Sequence, residues 1–258
     1  MNLTLSIIIF SLFNSISIAQ QVDNPLKFSL GEYNFKSYYD TSDFSSLLTV
    51  VKKGATLFSK NFPGRIFSIK ADELGKDGEM DLLIGVYSGG AHCCYTVYTG
   101  HTEENNFVIT DSLELGNSDY EIKDLNDDNQ REIFAYDDRF AYAFTSYAGS
   151  RFSPMVYTVT DYKFINITHK FPAVVNSSIE ELKSQMDKMI SEGFKCTAEG
   201  EDTFSSDAGT VKAILAPLVL DYFNLGEVNK GYEYVNSVYK CSDKQNFIDT
   251  LQIVYKLK

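Results

Sequence analysis

The sequence predicts an α+β protein, with an N-terminal antiparallel β domain of two to three propeller-blade-like units followed by a C-terminal helical domain. Three observations predict it. Short segments rich in aromatic and β-branched residues, punctuated by turn residues, fill the chain as far as Pro172. Beyond Pro172, apolar residues recur at helical spacing. Within the first part, the order strand, acidic loop, strand, turn, strand repeats at a spacing of 51 positions, from Glu73 to Asp124. A period near 50 with several strands per unit is a blade signature. Residues 28–171 have room for at most three such units. Propellers usually close with four or more blades, so a partial stack sealed by the helices is expected.

The first element is not part of the fold. Leu3 to Ile18 is apolar and Ser-rich without a charged side chain, and Ser17-Ile18-Ala19 puts small residues where a signal peptidase reads. Residues 1–19 therefore read as a signal peptide cut before Gln20, with a periplasmic or secreted destination. The alternative is a retained anchor, for which the stretch is short. No later apolar run is long enough to span a bilayer. The expected domains are 20–171 (β) and 172–258 (helical).

The strand signals, in order, are Leu47 to Val51, Ile66 to Ile69, Leu82 to Tyr87, Tyr95 to Tyr98, Phe107 to Ile109 and Met155 to Val159. Lys53-Gly54, Pro63-Gly64 and Glu104-Asn105-Asn106 mark turns between them. Four helices follow. Ser178 with Glu181 forms a capping box for the first, whose stripe is Ile179, Leu182, Met186, Met189 and Ile190, ended by Gly193. Asp207 is placed to cap the second, which Pro217 should kink or split and Gly226 should end. The third runs from about Glu227 to Lys240, weakened by Gly231. Ser242 with Gln245 caps the last, which should bury Phe247, Leu251 and Val254.

The net charge is −12, with 35 acidic against 23 basic side chains. Such a surface argues against nucleic acid and against anionic membrane surfaces. It is compatible with cation binding, or with solubility alone. Export makes disulfides the default for the four cysteines. Three connectivities are possible. The favoured one joins Cys196 to Cys241 and leaves the neighbours Cys93 and Cys94 to a state of their own.

The acidic loops carry the chemistry. The first reads Glu73-Leu74-Gly75-Lys76-Asp77-Gly78-Glu79-Met80-Asp81, and the second Asp124-Leu125-Asn126-Asp127-Asp128-Asn129-Gln130-Arg131-Glu132. Oxygen-bearing side chains stand at loop positions 1, 5 and 9 of both, and Asn126 adds position 3 in the second. A tight turn points alternate side chains at one place. Position 6, Gly78 or Asn129, must take a left-handed backbone, which Gly tolerates freely and Asn fairly well. The position 7 carbonyls of Glu79 and Gln130 and the acids Asp81 and Glu132 would complete a shell of oxygens, which suits Ca²⁺ better than the stricter octahedron of Mg²⁺. The candidate metal ligands are Asp124, Asn126, Asp128, Gln130 and Glu132, with Glu73, Asp77, Glu79 and Asp81 in the first loop. The plain alternative is two acidic turns that hold no ion. Neither loop is an EF-hand, since position 12 is Ile84 or Ala135.

The stretch Asp124 to Glu132 resembles the calcium loop of FG-GAP and VCBS-type repeats, found in integrin propellers and many exported bacterial proteins. The usual pattern there is Asp-x-Asn-Gly-Asp-Gly-x-x-Asp/Glu. Here Asp127 and Asn129 stand in place of both glycines, and the first copy departs further, with Glu73 at position 1 and Gly75 at position 3. The resemblance covers roughly residues 60–160 and implies a β fold with calcium-linked stability, not a reaction. Tyr87 to Cys94 is similar to a segment of uncharacterised exported bacterial proteins.

The segment Gly89-Gly90-Ala91-His92-Cys93-Cys94 admits a strained vicinal disulfide, a soft-metal site with His92, or two small buried residues beside an imidazole. Three consecutive ligands converge poorly on a strand, whose side chains alternate faces. Enzyme signals are sparse. There are three His, no Gly-x-Ser-x-Gly elbow, no phosphate loop and no zinc-protease helix motif. Carboxylates are plentiful, but none is singled out as a glycosidase pair. The expected function is non-enzymatic: an exported, soluble binding or interaction protein with calcium-stabilised β repeats and a protein or glycan partner. The alternative is a thiol–disulfide redox protein acting through Cys93 and Cys94, although it lacks a Cys-x-x-Cys at a helix start.

Overall fold

The computed structural model describes residues 25–75, 78, 80–90, 94–103, 106–198 and 201–258. The expected signal peptide, residues 1–19, lies outside them. Among the described residues, twelve strands form three four-stranded antiparallel sheets and four α-helices follow. The class is α+β. Each sheet is a meander in chain order, and among the described residues no closed propeller is formed.

The first sheet is β1 (Leu26–Leu30), β2 (Tyr33–Asp40), β3 (Ser45–Lys52) and β4 (Ala55–Pro63). Only β3 carries one of the strand signals read from the sequence. The second is β5 (Arg65–Asp72), β6 (Asp81–Tyr87), β7 (Tyr95–Glu103) and β8 (Asn106–Gly116). The third is β9 (Glu121–Lys123), β10 (Glu132–Asp137), β11 (Ser153–Thr160) and β12 (Lys163–Asn166). Lys53 and Gly54 turn the β3–β4 hairpin with φ of 49° and 86°. Positive φ at both central residues matches the strand twist.

The sheets stack face to face, and the second lies in the middle. Leu82, Ile84 and Val86 of β6 join Phe35, Leu48, Val50 and Phe62 of the first sheet in one core. Leu83, on the other face of β6, joins Ile133, Ala135 and Val159 of the third sheet, and Tyr120 just before it, in another. A strand alternates its side chains between faces, so a strand covered on both sides must read as a continuous apolar run. Leu82-Leu83-Ile84-Gly85-Val86 does. Gly85 breaks the run for space, because a Cβ there would meet the Phe67 ring at 2.7 Å.

The helices are α1 (Pro172–Glu192), α2 (Asp207–Asn224), α3 (Val228–Val238) and α4 (Lys244–Ile253). Pro172 opens α1 because its fixed φ suits the first helical position and it needs no N–H acceptor. Ser178 is therefore not a cap: it lies in the second turn and donates its hydroxyl to Asp221 Oδ2 at 2.7 Å. Gly193 ends α1 with φ 75°. Asp207 is likewise not the cap of α2. Ser206 holds that place, its hydroxyl accepting from Gly209 N at 3.1 Å. Pro217 does not split α2, which runs on through it. The carbonyl of Pro217 accepts from Ser153 Oγ at 3.0 Å, tying the helix to β11. Ser242 and Gln245 do not cap α4. Asp243 precedes its first residue without a side-chain capping bond, and Phe247, Ile248 and Leu251 are buried while Val254 is 66% exposed.

Helix α2 is the axis of the helical core. It is buried nearly all round, from Ala208 to Tyr222, and so carries no clean amphipathic stripe. Val175, Ile179, Leu182 and Met186 of α1 pack into the same core, and so does Phe140 from the segment that follows β10. Cys196 and Cys241 are joined by a disulfide, their Cα atoms 5.3 Å apart, which clips the approach to α2 to the start of α4.

Candidate functional site: paired acidic loops and an adjoining groove

The two acidic loops occupy equivalent places. The first links β5 to β6 and the second links β9 to β10. The 51-residue offset is kept in the strand register: Asp72 faces Asp81 as Lys123 faces Glu132, and Ala71 faces Leu82 as Ile122 faces Ile133. It is kept inside the loops as well. Gly78 N donates to Glu73 Oε1 at 3.2 Å, and Asn129 N donates to Asp124 Oδ2 at 2.8 Å. Leu74 N donates to Asp81 Oδ2 at 3.0 Å, and Leu125 N donates to Glu132 Oε2 at 3.2 Å. In each loop the residue at position 1 thus gathers the N–H of position 6, and a buried acid at position 9 gathers that of position 2. Position 6 is left-handed in both, φ 81° at Gly78 and 65° at Asn129. Asp127 is left-handed too, at 59°.

The second loop is described throughout. Asp124 Oδ1 also accepts from Asn126 N and Asp128 N, each at 3.2 Å, Asn126 Oδ1 accepts from Asp128 N at 3.3 Å, and Asp128 Oδ1 accepts from Gln130 N at 2.8 Å. The loop is closed by its own amides. An ionised carboxylate offers about four lone-pair sites, so these bonds leave acceptor capacity. In kind, the donors suit a hard cation. Among the described residues, however, no group of three or more His, Cys, Asp or Glu is gathered as a metal cage. Of the first-loop candidates, Asp77 and Glu79 lie outside the described residues. Glu73 and Asp81 accept the amide bonds given above.

The loops also hold each other. Arg131 Nη2 lies 2.9 Å from Asp72 Oδ1. Gln130 Nε2 donates to the carbonyl of Leu74 at 2.9 Å, and Thr158 of β11 donates to that carbonyl as well. A cavity of about 380 Å³ opens beside them, with Asn126, Asp128, Gln130 and Glu132 along one side and Thr158, Thr160 and Lys170 among the other residues of its wall.

Sequence reasoning missed a second feature. Between the third sheet and α1 lies a groove of about 600 Å³, floored by Leu125, Phe134 and Val174 and edged by Lys123, Arg151, Ser178, Glu181 and Gln185. A smaller cavity of about 320 Å³ shares Phe134, Tyr136 and Phe152 with it. Asp221 lies behind its wall, fully buried, with Oδ1 unpartnered. Burial pushes the Asp221 carboxyl up to about 7, against the lowering effect of the Ser178 and Ser153 hydroxyls. A Ser-x-x-Glu match at Ser178 hid this contact, because the match reads equally well as a cap. In the helical core Lys212 Nζ lies 2.9 Å from Asp243 Oδ2, and Tyr239 donates to Asp243 Oδ1 at 2.8 Å. Burial raises Asp243, but the bonds from Lys212 and Tyr239 overrule it and hold the carboxyl below its ordinary range.

His92 and Cys93 lie outside the described residues, and with them the vicinal disulfide and the soft-metal site. Cys94 is disulfide-bonded, and no free cysteine occurs among the described residues. No helix among them is long and apolar enough to cross a membrane.

No family model matches the chain, and no solved structure matches it. A curated protein of Synechocystis sp., named as a probable thylakoid lumen protein, is 22% identical over 190 residues. That match covers 72% of this chain and 52% of the relative, so the chain spans about half the length of the curated relative it matches.

Proposed function

We propose that the chain is an exported, extracytoplasmic binding or interaction module whose β repeats are stabilised by calcium at the second acidic loop. The observation that carries this reading is the pair of loops closed in the same way at the same strand register. Two turns 51 positions apart, Glu73–Asp81 and Asp124–Glu132, that repeat each other amide by amide behave as one recurring device. The resemblance of Asp124–Glu132 to FG-GAP and VCBS loops supplies the ion. Asp124, Asn126, Asp128 and Glu132 would hold it, with the Gln130 carbonyl. Its charge would offset the acids that crowd this turn. The disulfide between Cys196 and Cys241 supports an oxidising compartment, as does a relative named for the thylakoid lumen. A binding role is supported by an open groove with apolar floor and polar edge, the usual form of a ligand site.

Melting curves with millimolar calcium and with chelator test the calcium part. Calcium should raise the melting temperature of the parent chain, with a dissociation constant on the order of 10⁻⁴ to 10⁻³ M, as for extracellular modules. Asp128→Asn should remove most of the shift. Identical curves with calcium and with chelator would reduce both loops to turns that need no ion.

A further inference from the structure

The groove between the third sheet and α1 has an unbalanced charge. Arg151 is half-buried on its edge and is held from three sides: Nε donates to Gln185 Oε1 at 2.6 Å, and Nη1 donates to the carbonyls of Gly149 at 2.8 Å and Ser150 at 2.9 Å. All three acceptors are neutral. No carboxylate pairs with Arg151 among the described residues, and its Nη2 amino group is left with two N–H donors unspent. The chain as a whole is acidic, with net charge −12. A guanidinium fixed by neutral groups at the edge of a cavity is therefore a cation awaiting its counter-charge.

Two neighbours point the same way. Lys123 edges the groove with Nζ 3.8 Å above the Phe134 ring, its charge shared with Glu121 at 2.9 Å. The first turn of α1 also lines the groove, through Ala173 and Val174, and has neither a side-chain cap nor an acidic residue, so its positive end is uncompensated. Glu181 is the one carboxylate in the lining, and its Oε1 accepts from Gln185 Nε2 at 3.2 Å. The floor of Leu125, Phe134 and Val174 is apolar.

We propose that this groove binds an organic carboxylate with an apolar body, the carboxylate on the free edge of Arg151 and the body on Phe134 and its apolar neighbours. The volume of about 600 Å³ suits a ligand of small-molecule or short-peptide size. Arg151 is already immobilised, so the ligand need not order it, and a charge-assisted bond forms at reduced entropic expense. The inference rests on the binding role proposed above and is independent of calcium.

The test is calorimetry on the full chain with two probes that differ only in charge, 4-phenylbutyrate and 4-phenylbutyramide. The acid should bind tighter than the amide by roughly tenfold to a hundredfold, as a hydrogen bond to a charged group provides. Arg151→Gln should abolish the preference. Because Arg151 also tethers Gly149 and Ser150 to α1, Gln185→Glu is the second variant: it keeps the tether and supplies an internal carboxylate, while losing the Gln185 bond to Glu181, so the preference should vanish while the chain stays folded with a melting temperature close to that of the parent. Acid and amide binding alike, or a preference that survives Gln185→Glu, would overturn the carboxylate subsite and leave the groove as a neutral binding site. Absence of heat with both probes at roughly ten millimolar would overturn the subsite, and absence of displacement of the groove's amide resonances by any ligand class would then weigh against the binding role itself.

Discussion

Asn129 and Asp221 show how single residues are constrained in this chain. Asn129 sits at φ 65° and gives its N–H to Asp124. A left-handed backbone costs an ordinary L-residue about 1–2 kcal/mol, and Asn less. Asn129→Ala should therefore lower stability by about 1 kcal/mol, while Asn129→Gly should be neutral or slightly stabilising; urea denaturation of the three proteins gives the ranking. Asp221 is a case of linkage with the unusual sign. Burial raises its folded-state carboxyl to about 7, above the unfolded value of 3.8. Below the unfolded value both states are protonated and nothing is lost. As pH rises between the two values, the unfolded chain releases the proton and the folded chain keeps it, so stability falls by about 1.4 kcal/mol per pH unit and levels off above the folded value. Asp221→Asn should flatten that part of the stability curve between pH 4 and 7. An unchanged slope in the variant would mean that Asp221 does not titrate there.

At the scale of elements, apolar patterning was enough where one strand or helix meets its neighbours in a regular way. The β6 run, the Lys53-Gly54 turn and the Gly193 stop all read from the sequence because each follows from local sterics or from burial on both faces. The first sheet was half legible. In β2 and β4 polarity does not follow burial: Ser37 is buried while Tyr38 is exposed, and the adjacent Leu57 and Phe58 are both half-buried, so the period of two is blurred. Caps were read less well. Ser178 and Asp207 carry the right side chains, but Pro172 starts α1 six positions earlier and Ser206 lies one position before Asp207. The Cys196–Cys241 clip is the strongest constraint on the helices. It closes a sequence separation of 45 and should contribute about 4 kcal/mol through the unfolded state. Replacing both cysteines by Ser should lower the denaturation midpoint accordingly and leave the loop hairpins of the second and third sheets folded, which amide exchange would register.

For the whole molecule, the governing fact is that the second sheet is covered on both faces, by the first sheet through Phe35, Leu48 and Phe62 and by the third through Ile133, Ala135 and Val159. That stacking brings the two acidic loops side by side. The contacts between them, Arg131 with Asp72 and Gln130 with Leu74, join residues 59 and 56 positions apart. The Arg131 side chain is 57% exposed, so Arg131→Ala should cost well under 1 kcal/mol, whereas the amide bonds repeated inside each loop should stabilise the turns more. The same stacking leaves the far face of the third sheet to α1 and opens the groove there.

The sequence by itself determined the class, the passage from strands to helices, the acidic repeat and the left-handed position 6 of each acidic loop. Those follow from short-range sterics and from the periodicity of burial, which a linear string carries. Tertiary structure alone decided that the two loops brace one another, that Ser178 serves Asp221 rather than a helix end, and that Arg151 faces a cavity without an acidic partner. Each depends on which surfaces meet across distances of tens of residues. Whether a polar side chain is a cap, a partner or an unspent donor is set by what the fold brings to it, and no local pattern encodes that.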